Sequence, residues 1–144
     1  MTQQRKHLTR QLDKLWQQAI CAKGICERCG DIPVSGHHLI KRAHHWHRHN
    51  LANGVALCVC CHGMAHERPE AFGKWLATYD AARYGYWQAN RHDRSAGPVP
   101  LGVLREWREL LNGNIRGNTA DMGGDVTERE YGNGIETTGQ EVNK

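Results

Sequence analysis

The sequence predicts an α+β fold: a small hairpin-and-helix core tied by a four-cysteine zinc site, with flanking helices and a disordered C-terminal tail. Three observations predict it. Apolar residues recur at helical spacing in three separate stretches. Two short, partly β-branched stretches, 32–40 and 50–57, bracket a histidine-rich loop and read as a hairpin. Two C-x-x-C pairs, Cys26/Cys29 and Cys58/Cys61, stand on either side of that hairpin. Residues 1–111 then form one domain, with its core at 21–68 and helices at about 8–20, 69–83 and 100–111; residues 112–144 form the tail.

In chain order, Leu8, Leu12, Leu15, Trp16, Ala19 and Ile20 fall on one side of a 3.6-residue period, which predicts an amphipathic helix over 8–20. Gly24 ends it before "CERCG". A short helix is expected to start near Cys60 and stop before Pro69. Pro69 suits the first turn of the next helix, whose stripe is Phe72, Trp75, Leu76 and Tyr79. The stretch "QANRHDRSAGPVP" is rich in turn formers and reads as a loop. Leu101, Leu104, Trp107 and Leu111 mark the last helix. The aromatic stripes could serve as base-stacking platforms, but at helical spacing they are assigned to the core. After Leu111 come seven glycines and few large apolar residues; such a segment buries too little surface to offset its ordering entropy, so disorder is expected.

Composition narrows the partners. No run of apolar residues is long enough for a transmembrane helix. The start, "MTQQRKHLTRQLDKLW", is basic without an apolar signal region, so a cytoplasmic chain is expected. Residues 1–111 carry sixteen Lys and Arg against nine Asp and Glu, a net of +7, whereas 112–144 carry three against six, a net of −3. A basic folded part with an acidic tail suits an anionic macromolecule such as nucleic acid, or else is simply a solvated surface.

In a reducing compartment, closely spaced cysteine pairs are metal ligands more often than disulfides. Zinc takes four tetrahedral ligands, and two residues between cysteines let one tight turn present both sulfurs to one ion. Cys26, Cys29, Cys58 and Cys61 are therefore assigned to a structural zinc, which supplies part of the folding free energy of so small a chain. Gly30, after the first pair, and Gly63, after the second, suit the ends of such turns. Cys60 is expected to point away from the metal and Cys21 to face the core.

Eight of the ten histidines lie between residues 36 and 66. His62 and His66 are four apart, hence on one face of a helix, as two ligands of one metal would be. His37 and His38 are adjacent, so on a strand they point to opposite faces, and one can bind a metal while the other does something else nearby. The order "GHH" at 36–38, "NGVALC" at 53–58 and "CHGMAH" at 61–66 resembles the HNH nuclease family, and "CERCG" at 26–30 resembles its zinc-binding subset. The resemblance covers about residues 8–83. Together with the Leu-Trp helix and "PEAFGKWL", it looks like the small HNH proteins of bacteriophages and prophages.

That resemblance implies a ββα-metal, treble-clef-like core, a hairpin packed on a helix and pinched by zinc. It implies that His37, His62 and His66 hold a catalytic divalent ion, that His38 is the general base, and that Asn53 braces the hairpin so that His38 points correctly. The implied activity is metal-dependent hydrolysis of phosphodiester bonds in DNA, nicking or cutting both strands, in phage or prophage DNA processing or recombination within a bacterial host. DNA is then the partner, with no membrane and no small-molecule substrate. Many HNH sites carry Asp where this chain has His37; an all-nitrogen set is softer and favours Mn²⁺, Ni²⁺ or Zn²⁺ over Mg²⁺. The alternative is a non-catalytic zinc module that binds nucleic acid. In the loop "KRAHHWHRHN" the histidine spacing fits no standard metal site. A mobile, phosphate-contacting surface is expected there, with Lys41, Arg42 and Arg48 supplying charge and Trp46 stacking or packing. A solvated loop without a role is the alternative, and His7 and His92 are read as ordinary surface residues.

Overall fold

A computed structural model describes residues 1–94 and 97–121. Thr2 opens the first helix, α1 (Gln3–Ile20), its hydroxyl accepting from the Arg5 amide at 3.3 Å. The helix starts five residues before the apolar pattern does, because its first turn is polar and held by the cap. Leu8, Leu12 and Trp16 form its buried stripe. Two antiparallel strands follow, β1 (Val34–His38) and β2 (Gly54–Cys58), in a register that pairs His37 with Val55 and His38 with Gly54. A 3-10 turn at Leu51–Asn53 leads into β2, so Asn53 immediately precedes the strand and is not part of it.

All five residues of β2 are buried. Its outer edge is sealed by the first cysteine knuckle. The Glu27 amide donates to the Ala56 carbonyl at 2.9 Å, the Glu27 carboxylate accepts from the Ala56 amide at 2.7 Å, and Arg83 donates to the Gly54 carbonyl at 2.9 Å. A short sheet edge whose polar groups are taken internally has nothing to offer another strand.

Cys58 ends β2 and caps α2 (Val59–Glu67), its sulfur accepting from the Cys61 amide. Pro69 begins α3 (Pro69–Tyr79), in line with its missing N–H. The single helix expected over 69–83 is instead two. Asp80 leaves helical backbone and caps α4 (Ala81–Asn90), accepting from the Arg83 amide at 3.0 Å. A short carboxylate competes with the backbone inside a helix and is favoured at its start. The fifth helix among the described residues is α5 (Leu101–Asp121). It extends ten residues beyond the expected end at 111, so the first part of the expected disordered tail is helical; residues 122–144 lie outside the described residues.

Two apolar clusters hold these elements. One joins the hairpin, the cysteines and α2 to Phe72 and Leu76 of α3. The other packs Leu8, Leu12 and Trp16 of α1 against Val99, Leu104 and Leu111. The chain is thus α+β, with a two-stranded sheet enclosed by helices. No helix among the described residues is long and apolar enough to cross a membrane.

Candidate metal centre

The four predicted cysteines converge. The sulfurs of Cys26, Cys29, Cys58 and Cys61 lie within 4.8 Å of one another, with Cys29 and Cys58 at 3.5 Å. Tetrahedral zinc with Zn–S bonds near 2.3 Å places its sulfurs about 3.8 Å apart, so the donor set fits a structural metal such as zinc. Gly30 closes the first knuckle at φ +81°, a conformation that suits glycine. Burial raises the Cys26 thiol, but the backbone amides of Cys58, Cys29 and Arg28 more than offset it and bring it down to about 6. For Cys29, the lowering by the Asp31 amide is outweighed by the sulfurs of Cys58, Cys26 and Cys61, and it is pushed up to about 12. Four sulfurs this close cannot all ionise without a cation among them. Arg28 adds one positive neighbour, its guanidinium 3.6 Å from the Cys61 sulfur. Cys60 is exposed; Cys21 is half-buried and its sulfur accepts from the Gln17 amide.

A second cluster lies nearby, on α2 and β1. One nitrogen from each of His37, His62 and His66 falls within 4.8 Å of the others. The His62 and His66 rings stack at 5.1 Å, as the i, i+4 spacing on α2 requires, and the His37 ring meets both edge-on. Burial, followed by the neighbouring imidazoles, lowers His37 to about 3 and lowers His62 as well, so both are neutral near pH 7 with lone pairs available. The Ser35 hydroxyl lies 3.1 Å from His62 Nδ1. A hydroxyl that accepts from Nδ1–H leaves the Nε2 lone pair for an ion. Cys58, Cys61, His62 and His66 all belong to the end of β2 and to α2, so one short unit serves both clusters.

His38 sits apart from the cluster in chemistry, though adjacent in sequence. Its Nε2 lies 3.0 Å from the Arg48 carbonyl oxygen. A carbonyl only accepts, so Nε2 carries the proton and Nδ1 the lone pair. Burial lowers this ring to about 4, with Arg42 and Arg48 adding to the effect against the Arg48 carbonyl. The Trp16 indole lies on the His38 face, centroids 3.8 Å apart and planes within 12°. Asn53 is fully buried. Its Oδ1 accepts from the Ile40 amide at 2.6 Å, and its Nδ2 donates to the carbonyls of Ile40 and His47, each at 3.0 Å. It therefore closes the loop that starts just after His38.

His37, His38, His62 and His66 line one groove, of about 630 Å³, with Lys14, Trp16 and Gln17 of α1 and with Lys41 and Arg42. Arg48 does not line it. Its guanidinium forks onto Asp13 at 2.8 and 2.7 Å and its side chain is 17% exposed, whereas Arg42, 3.2 Å from the same carboxylate, is 60% exposed. The histidine-rich loop, expected to be mobile, is pinned. His49 is buried against Asp13 at 2.9 Å, and His47 bridges the Tyr86 hydroxyl at 2.6 Å and the Asp93 carboxylate at 2.7 Å. Trp46 meets Trp107 of α5 edge-on. His7 and His92 are exposed, as expected.

Asp13, Ser35 and Arg83 belong to no motif, and Glu27, although inside "CERCG", was given no role there. Trp16 was legible as an apolar stripe residue, and the others carried no signal, since each acts on a partner distant in sequence. A comparison of the chain with protein-family models, curated proteins and solved structures found no match.

Proposed function

We propose that this chain is a metal-dependent endonuclease of the HNH kind, hydrolysing phosphodiester bonds in DNA on a ββα-metal hairpin-and-helix core. One observation carries the reading: three imidazoles at chelating separation share a groove with a fourth, His38, whose free nitrogen is defined by its neighbour. Phosphodiester hydrolysis needs a base for water, positive charge at the phosphate and help for the leaving oxygen. A divalent ion held by His37, His62 and His66 would supply the charge that stabilises the phosphorane and the leaving 3′ oxygen.

The remaining roles fall to the chain. His38, neutral near pH 7, takes the proton of water at Nδ1 while the Arg48 carbonyl keeps Nε2 protonated. Asn53 fixes the loop carrying that carbonyl through its bonds at both ends, Ile40 and His47. Lys14, Lys41 and Arg42 line the groove and attract phosphates without reading bases. The nitrogen-only donor set favours Mn²⁺, Ni²⁺ or Zn²⁺. The cysteine cluster would hold zinc as a structural ion. The family resemblance favours phage or prophage DNA processing, inside a bacterial cell.

Supercoiled plasmid tests the reading. Purified protein with Mg²⁺, Mn²⁺ or Ni²⁺ is expected to convert it to open circles, chelator to stop this, and His38→Ala to slow it by about 10²–10⁴-fold with DNA binding intact. Binding without cleavage under every metal would replace the nuclease by a non-catalytic zinc module on nucleic acid.

A further inference from the structure

We infer that Trp16 is a positioning residue: its indole is the platform that fixes the orientation of the His38 imidazole. The inference rests on the reading of His38 as the base. A buried indole on α1 needs no purpose beyond packing, and Leu8 and Leu12 on the same stripe have none. Trp16 differs from them in three ways.

First, the contact is a parallel stack at 3.8 Å and 12°, in which rotation of either ring is resisted by the other. Second, the indole is itself anchored. Its Nε1–H donates to the Asn50 carbonyl at 3.0 Å, two residues from the carbonyl that holds His38 Nε2. One loop thus ties down both rings. Third, both strands are cut away to admit it. A Cβ at Gly36 would lie 2.6 Å from Trp16 Cζ3, and one at Gly54 would meet Ile20 Cδ1 first and Trp16 Cζ2 at 2.6 Å, so Gly36 is the more specific of the two to the indole. Gly54 is the residue paired with His38 across the hairpin.

The ring of His38 is therefore held on one face by Trp16 and on one edge by the Arg48 carbonyl. Nδ1 is the nitrogen left with the lone pair, on a ring that lines the groove. Misplacing a base by an ångström costs about a hundredfold in rate, so a device that removes ring rotation belongs to turnover rather than to binding.

The test uses the full chain as wild type, Trp16→Phe and Trp16→Leu. Nitrogen–proton NMR of the histidine rings reads tautomer and ring-current shift without any cleavage, and plasmid nicking reads kcat and KM. The expected wild type has His38 as a single Nε2–H tautomer with upfield-shifted ring protons. Trp16→Phe, still able to stack, should keep both and most of kcat. Trp16→Leu should mix the tautomers, lose the upfield shift and lower kcat about tenfold or more, with KM unchanged. In a His38→Ala background, Trp16→Leu should make no further difference to kcat. A wild type with the Nδ1–H tautomer, or without the upfield shift, would overturn the platform even if no Trp16 variant folds. So would a folded Trp16→Leu protein with unchanged tautomer and kcat, or a kcat loss that Trp16→Phe shares in full. A wild type that shows the fixed ring but nicks nothing would instead remove the nuclease reading, and with it the catalytic purpose of the platform.

Discussion

Asp13 shows how one side chain can decide what its neighbours are free to do. Burial alone would raise its carboxyl, but hydrogen bonds from His49 and Arg48 and their charge hold it far below the usual carboxylate range. A carboxyl depressed in the folded state contributes stability that is present above its unfolded value, near 3.9, and is lost as pH falls below that. Asp13→Asn should therefore lower the stability read by urea unfolding by about 1–3 kcal/mol at pH 7. Its difference from wild type should shrink as pH drops below about 4. An equal difference at pH 7 and pH 3 would contradict this account. At the same scale, the convergence of His37, His62 and His66, and that of the four cysteines, was legible because metal chemistry demands fixed spacing. Asp13 and Ser35 were not, because a lone polar residue on a helix or strand carries no period and finds its partner only after the chain has folded.

Among the elements, the cysteine knuckle makes the sharpest contrast. Cys29 is exposed, yet it is one of the four convergent sulfurs; Cys60, also exposed, is not. Cys29→Ser is expected to lose bound zinc and the cooperative melting transition, while Cys60→Ser keeps one zinc per chain and an unchanged Tm. Zinc content by mass spectrometry and a thermal scan check both, and a zinc-free, well-folded Cys29→Ser protein would remove the structural role. Three helices and the hairpin were readable from periodicity and β-branching. The break at Asp80 was not, since an apolar stripe continues past it and only the cap shows that the chain has turned. The overrun of α5 past Leu111 is hidden for the opposite reason: glycines and asparagines argue against a helix there, and their local preference is too weak to forbid one.

At the scale of the whole molecule, charge distribution separates groove from scaffold. The excess of seven positive charges over residues 1–111 would attract any polyanion, but ion pairing decides which of those charges can meet a phosphate. Lys41→Ala should flatten the slope of log affinity for DNA against log salt by about 1. Arg48→Ala should leave that slope unchanged and lower Tm instead, because its fork is spent on Asp13. Fluorescence anisotropy across a salt series distinguishes them, and a reduced slope for Arg48→Ala would return that residue to the DNA surface. The shared strand–helix unit, finally, would make the occupancies of the two clusters interdependent. Cys61 and His62 are consecutive, so an ion that stiffened the knuckle would also set the imidazoles, and by thermodynamic reciprocity an ion among the imidazoles would tighten the hold of the sulfurs on zinc. If the proposed hydrolysis holds, a manganese-loaded groove would still depend on zinc at the sulfurs, so withholding zinc alone would silence the protein whatever the manganese supply.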